Sequence, residues 1–181
     1  MFHFLKALFK MKKTMKDWQR KCGEYRTMTV SELVALSDND LYSAVYERTL
    51  HKTEQHEDMM DGVNALSDAE RVFYVAAYYE AEVNNGGLCQ FFVNESRRLA
   101  PLLPDALGAI GADKHKALFS GFAATNGIDL GDLSSFAIED VDEYAAQTER
   151  YPFDDFDEAF YDLPPLVDYL APYVRAHIAL F

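Results

Sequence analysis

The longest run of closely spaced hydrophobic positions covers residues 67–94, and the rest of the chain can be ordered around it. Ser67-Asp68-Ala69-Glu70 has the form of a capping box, in which the hydroxyl accepts an orphan N–H and the glutamate reaches back to the cap. Val72, Phe73, Val75, Ala76, Tyr79 and Val83 follow, apolar over more than one helical face, which predicts a central, buried helix. It runs into EAEVNNGGLCQFFVN (residues 80–94), where two amides and two glycines precede a second apolar segment opened by Gln90, Phe91 and Phe92. Glycine tolerates left-handed dihedrals and close backbone approach, so Gly86-Gly87 predicts a tight corner between two helices. The flanking aromatics place that corner inside the core. Asn84, Asn85 and Gln90 would then need partners, because an unpaired buried amide costs about 1–3 kcal/mol.

Other stretches repeat the helical pattern. Residues 1–21 read as a basic amphipathic helix, with Phe4, Leu5, Leu8, Phe9, Met15 and Trp18 near helical spacing between lysines. Thr29-Val30-Ser31-Glu32 is a second capping box, predicting a short helix to about residue 36. Ser37-Asp38-Asn39-Asp40 starts another helix, with a stripe of Leu41, Val45 and Leu50 beside Tyr42 and Tyr46. Residues 51–61 read as a polar helix end and a loop. Pro101 and Pro104 bar a continuing helix interior. Short helices are predicted over 105–110, 114–125, 139–149 and 155–161. Pro164-Pro165 opens a last one carrying Leu166, Tyr169, Leu170, Tyr173, Val174 and His177. No strand alternation of useful length and no internal repeat appears. The expectation is an all-α protein: a basic N-terminal arm over 1–26, then one compact, acidic, multi-helix domain over 27–181, with seven to nine helices in all.

Charge sharpens that division. The net charge is −13 over 181 residues, yet the first 26 carry eight bases and two acids, leaving −19 on the remainder. Such a body repels nucleic acid and favours basic partners or metal ions, although on charge alone plain solubility is the preferred explanation. The body also supplies the opposite charge for the arm, so docking of the arm on the protein ranks ahead of membrane contact. Cys22 and Cys89 have no metal-type spacing and imply no disulfide framework, which points to a reducing cytoplasm. The apolar residues of 2–9 are interrupted by His3 and Lys6, so no signal peptide is predicted, and no apolar run is long enough to span a membrane.

Candidate chemistry is sparse. His51 and His56 stand five apart, not the four that would put two metal ligands on one helical face. Asp129-Leu130-Gly131-Asp132 lacks the register of a calcium loop. Cys89 and Ser96 have no neighbouring base, and no phosphate-binding loop is present. Glu80, Glu82, Asn84, Asn85 and Gln90 could line a polar pocket with a carboxylate as acid or base, or could tie helix ends together; the structural role ranks first. No metal, cofactor or catalytic residue is assigned.

The densest feature is acidic. Residues 129–162 hold Asp129, Asp132, Glu139, Asp140, Asp142, Glu143, Glu149, Asp154, Asp155, Asp157, Glu158 and Asp162 against Arg150 alone, a net of −11 in 34 residues. Drawn out as one helix, the block would span about 51 Å, one carboxylate per ~4 Å. A DNA strand offers a phosphate every ~3.4 Å. A surface of this kind can imitate DNA for a DNA-binding protein.

The sequence SDAERVFYVAAYYEAEVNNGGLCQ, continuing FFVNES, resembles the signature of a family of small acidic bacterial proteins whose founding member is a DNA mimic. Ala109-Ile110-Gly111-Ala112-Asp113, Phe156-Asp157-Glu158-Ala159-Phe160-Tyr161 and the segment from Tyr173-Val174 to His177 resemble further pieces in the same order, so the likeness covers residues 65–177. The arm lies outside it. The resemblance implies a mostly helical homodimer that offers a transcription factor, or another basic DNA-binding protein, a DNA-like surface, without binding nucleic acid itself. Glu82, Asn84, Asn85, Gly86, Gly87, Gln90, Phe91 and Phe92 would hold the fold, and the twelve acids would meet the partner. The alternatives are an enzyme or small-ligand protein with a pocket at the diglycine corner, and a structural or toxin-neutralising partner.

Overall fold

The computed structural model describes the backbone of residues 2–138 and 140–181, and the side chains of 14–138, 140 and 142–181. Ten α-helices and no strand occur among the described residues: α1 (Phe2–Thr27), α2 (Val30–Val34), α3 (Asp38–Thr53), α4 (Met59–Ala65), α5 (Asp68–Val93), α6 (Leu103–Ala109), α7 (Asp113–Thr125), α8 (Val141–Arg150), α9 (Phe153–Tyr161) and α10 (Val167–Ala176). The all-α, single-domain expectation holds. The count exceeds seven to nine because the stretch taken as a polar loop contains α4, capped by Asp58, whose carboxylate accepts from the N–H groups of Met60 and Asp61. Among the described residues, no helix is long and apolar enough to cross a membrane.

Local signals fix most starts. Thr29–Glu32 and Ser67–Glu70 both form complete capping boxes, and the Ser37 hydroxyl accepts from the Asp40 N–H. Each such cap contributes about 1 kcal/mol. The first helix runs further than predicted, through Thr27. Its last turns pack on α3, where Cys22 and Tyr25 are buried. Lys21 pairs with Asp40 at 3.0 Å, and Arg26 grips Glu47 through Nε at 2.8 Å. Docking of the arm on the body is therefore seen for this end. Phe4, Leu5, Leu8 and Phe9 lie outside the described side chains.

The core is aromatic and centred on α5, whose two halves do not form one rod. Tyr79 and Phe91 would stand about 18 Å apart along a straight helix, yet their ring centroids are 5.3 Å apart. The chain folds back at Gly86-Gly87, the only non-helical dihedrals inside the element. The fold-back lets Tyr79 meet Phe91, Phe119 of α7 and Phe160 of α9, all edge-on. Phe92 stacks on Phe136 at 4.8 Å and on Phe119, and touches Phe153.

Phe92 therefore joins three other segments, while Trp18 is more than half exposed. Phe92→Ala is expected to lower unfolding free energy by about 3–5 kcal/mol, whereas Trp18→Ala should change it by no more than about 0.5 kcal/mol. Urea denaturation followed by circular dichroism reads both.

Candidate functional site

The diglycine corner is built from the backbone outwards. Gly87 has φ +76°, a left-handed conformation that disfavours any side chain. A Cβ placed there would lie 2.1 Å from Oδ2 of Asp157, so the α9 carboxylate occupies the space a side chain would need. Asp157 Oδ1 accepts the Leu88 N–H at 2.8 Å, an amide freed by the break in the helix. The Tyr161 hydroxyl, one turn further along α9, donates to the Val83 carbonyl at 3.0 Å, on the other side of the corner. Glu82 Oε2 accepts from Gln90 Nε2 and Asn94 Nδ2, each at 2.9 Å, and so staples the two arms of α5 together.

One expectation is corrected. Asn84, Asn85 and Gly86 are exposed and Gln90 is half-buried, while Val83, Gly87, Leu88, Cys89, Phe91, Phe92 and Val93 turn inward. The outside of the bend faces solvent because a fold-back can bury only its inner side. Asn84 and Asn85 do not need internal partners for that reason, whereas Gln90 has one in Glu82. Burial pushes the Cys89 thiol up to about 11, so it is not a poised nucleophile.

Beside the corner lies a cleft of about 180 Å³ lined by Glu80, Asn84, His115, Tyr161, Pro164 and Pro165, among others. Glu80 is buried, and both its oxygens are engaged: Oε1 accepts the Leu166 N–H at 2.6 Å and Oε2 the Tyr42 hydroxyl at 3.3 Å. It thereby ties α5 to α3 and to the start of α10. Burial pushes its carboxyl above the usual range, against the pull of those two donors. His115 is buried against Phe160 and Tyr169, and its Nε2 donates to the Pro164 carbonyl at 2.9 Å. Burial lowers its pKa, against the opposing pull of the Pro164 carbonyl. A carboxylate with both oxygens bonded is a tie between helices, not a free base. Among the described residues, no group of His, Cys, Asp and Glu is placed to hold a metal.

The acidic block makes the second candidate surface. It is not one rod; it comprises a loop, α8 and α9. On α9, Phe153, Phe156 and Phe160 are buried, while Asp154, Asp155, Glu158 and Asp162 share the opposite, exposed face. On α8, half-buried Tyr144 and Gln147 mark the inner side, and Asp142, Glu143 and Glu149 are exposed. Asp129, Asp132 and Asp140 are exposed and also serve as turn or cap acceptors for the N–H groups of Gly131, Ser134 and Glu143. Hydrogen bonds from the Ser134 hydroxyl and N–H hold the Asp132 carboxyl below its usual range. Asp157 turns inward to the corner, and Glu139 lies outside the described residues. Arg150, the one base of the block, stacks over Tyr151 at 5.2 Å. Glu143 aside, no acid of the block forms an ion pair with a lysine or arginine among the described residues; those pairs lie elsewhere.

A family model described as DMP19-like protein matches residues 64–177, from before the α5 cap to the end of α10. The chain belongs to the DMP19-like protein family. Comparison with curated proteins and with solved structures returns no match. The DMP19-like segment contains the corner, the cleft wall and the whole acidic block, and excludes α1, α2 and α3.

Charge counting had read Asp157 as a surface acid and assigned no role to His115. Helical phase held the missing signal. Asp157 lies four after Phe153 and three before Phe160, and His115 lies four before Phe119, which puts both beside buried stripes.

Two measurements check the corner. Gly87 and Gly111 share φ +76°, but nothing lies within 4 Å of a Cβ at Gly111. Gly111→Ala should lose only the backbone term, about 1–2 kcal/mol. Gly87→Ala should lose that plus about 1–3 kcal/mol from the displaced Asp157 and its orphaned Leu88 N–H. Because the folded pKa of Glu80 is raised, its contribution to stability is full below the ordinary carboxyl range and declines as pH rises through the folded value. Wild type should therefore lose stability relative to Glu80→Gln as pH climbs above the ordinary carboxyl range, and the difference should then level off. Urea melts across pH read this; a pH-independent difference would remove the assignment.

Proposed function

We propose that the protein is a non-catalytic binding protein whose acidic face occupies the DNA-binding surface of a basic partner such as a transcription factor, and so acts in transcription regulation. The observation that carries this is the set of exposed acids on α8 and on α9. Asp142, Glu143, Glu149, Asp154, Asp155, Glu158 and Asp162 are all exposed there. Along the helices' own axes the exposed carboxylates recur once per ~4 Å, against a phosphate every ~3.4 Å along a DNA strand. Buried phenylalanines behind α9 fix the direction in which its acids point. Membership of the DMP19-like family is compatible with a DNA-mimic role. The rival, a small-ligand site in the cleft, has less support, because both Glu80 oxygens and His115 Nε2 already bond within the protein.

Pull-down from lysate of the native host is expected to retain a DNA-binding protein at low salt and to release it as salt rises. Duplex DNA should displace the captured partner. The quadruple variant Asp154→Asn, Asp155→Asn, Glu158→Gln, Asp162→Asn alters exposed side chains only. It should keep its melting behaviour while weakening capture by about tenfold or more. Retention of no DNA-binding protein at low salt, or capture unaffected by the quadruple variant, would overturn the assignment.

A further inference from the structure

The apolar edge of α1 continues past the point where the body ends. Met15, Trp18, Cys22 and Tyr25 recur at intervals of three and four, so they share one side of the helix. Cys22 and Tyr25 are buried against α3, but Met15 and Trp18 are each 55% exposed. Every residue from 14 to 21 is exposed. Lys16 lies between the two uncovered apolar residues and forms no ion pair among the described residues. Only Lys21, at the root of this stretch, reaches another helix of its own chain through an ion pair, with Asp40. Over residues 14–21 the arm is thus a helix whose apolar edge, at Met15 and Trp18, its own body leaves exposed.

A matching surface lies between α7 and α9. A groove of about 350 Å³ there is lined by Leu118, Gly121, Phe122, Pro152, Asp155 and Phe156, among others. A Cβ at Gly121 would meet nothing within 4 Å, so the groove is open at that point. Exposed Asp154, Asp155 and Glu158 belong to the helix that forms one wall. Of the two cations of α7, Lys116 immediately precedes Ala117 of the groove lining, and Lys114 lies further towards the start of the helix. The groove offers an apolar floor with the Asp155 carboxylate in its lining; the arm offers an apolar edge on a stretch whose sequence is basic.

We propose that the α7–α9 groove receives the α1 arm of a second copy of this chain, each copy lending an arm and accepting one. Trp18 meets the open floor at Gly121, and the lysines of the arm face the α9 carboxylates. Such an exchange is self-complementary and closes as a two-fold dimer. The α1 residues ahead of Arg20 extend about 27 Å, and two such helices in two grooves bury on the order of 1,000 Å², enough for a specific interface. The inference stands apart from the proposed function, since it concerns the chain with itself. Where both hold, arm and foreign partner compete for the α9 face, and the dimer is the closed form.

Sedimentation equilibrium of the full chain tests it. A dimer is expected that weakens as salt rises, and by about tenfold or more with either Trp18→Glu or Gly121→Lys. Both positions are exposed, and thermal melts should show that both variants keep the fold. Trp18→Cys on one copy and Gly121→Cys on another should form a disulfide between chains on mixing. The proposal is overturned by a monomer at low salt, or by a dimer indifferent to both variants. It is equally overturned by a disulfide formed within one chain carrying both cysteines in preference to one between chains. Binding of the monomer to phosphatidylglycerol vesicles, lost in Trp18→Glu, would assign the edge to a membrane surface instead. None of these readouts involves a DNA-binding partner, so failure here leaves the proposed function standing, and the reverse.

Discussion

The bond from the Leu88 N–H to Asp157 closes the bend on which the rest of the core depends. A helix reversed at two glycines leaves backbone donors without partners, and a buried orphan donor costs about 1–3 kcal/mol. Asp157 satisfies one of them at 2.8 Å and fills the space beside Gly87. With the bend closed, Tyr79 and Phe91 come together, and α7 and α9 pack on the pair through Phe119 and Phe160. The same contact orients α9: one carboxylate points into the corner, and the rest of its acids point away.

Charge is segregated across the molecule. Among the described residues, several cations of α1, α3 and α10 pair with acids outside the acidic block: Lys21 with Asp40, Arg26 with Glu47, Lys52 with Glu70 and Arg175 with Asp38. The acidic block is left with Arg150, which lies on a tyrosine ring. Like charges on neighbouring helical turns disfavour α8 and α9 by a few tenths of a kcal/mol per pair. Acids in the first turns, Asp142, Glu143, Asp154 and Asp155, recover part of this from the helix dipole. On α9 the larger compensation is burial of Phe153, Phe156 and Phe160, each worth about 1.5–3 kcal/mol. The exposed acids of α9 are thus kept in place by an apolar underside.

Much of the fold was legible in the chain because its signals are local. Capping boxes at Thr29 and Ser67 and the serine cap at Ser37 appear where the side-chain pattern put them. Gly86-Gly87 marked the reversal. The helix α4 was missed because Met59 and Met60 sit in a polar stretch and its start rests on an aspartate cap. The burial of Asn84 and Asn85 was misjudged because flanking aromatics show that a corner touches the core, not which side of it does. The acidic block was visible as composition, but composition does not distinguish Asp157, held inward, from Asp155 two residues earlier.

By itself, the sequence determined an all-helical chain, a reversal at two glycines, membership of an acidic family and a basic leading helix, since spacing, dihedral tolerance and charge are properties of short segments. Only the tertiary structure decided which carboxylates face solvent and which serve the corner. It also decided that Glu80 is a tie between helices, and that the bare edge of α1 and the groove between α7 and α9 are both uncovered. Those outcomes depend on contacts between residues as far apart as Leu88 and Asp157, and no local pattern encodes the meeting of such distant partners.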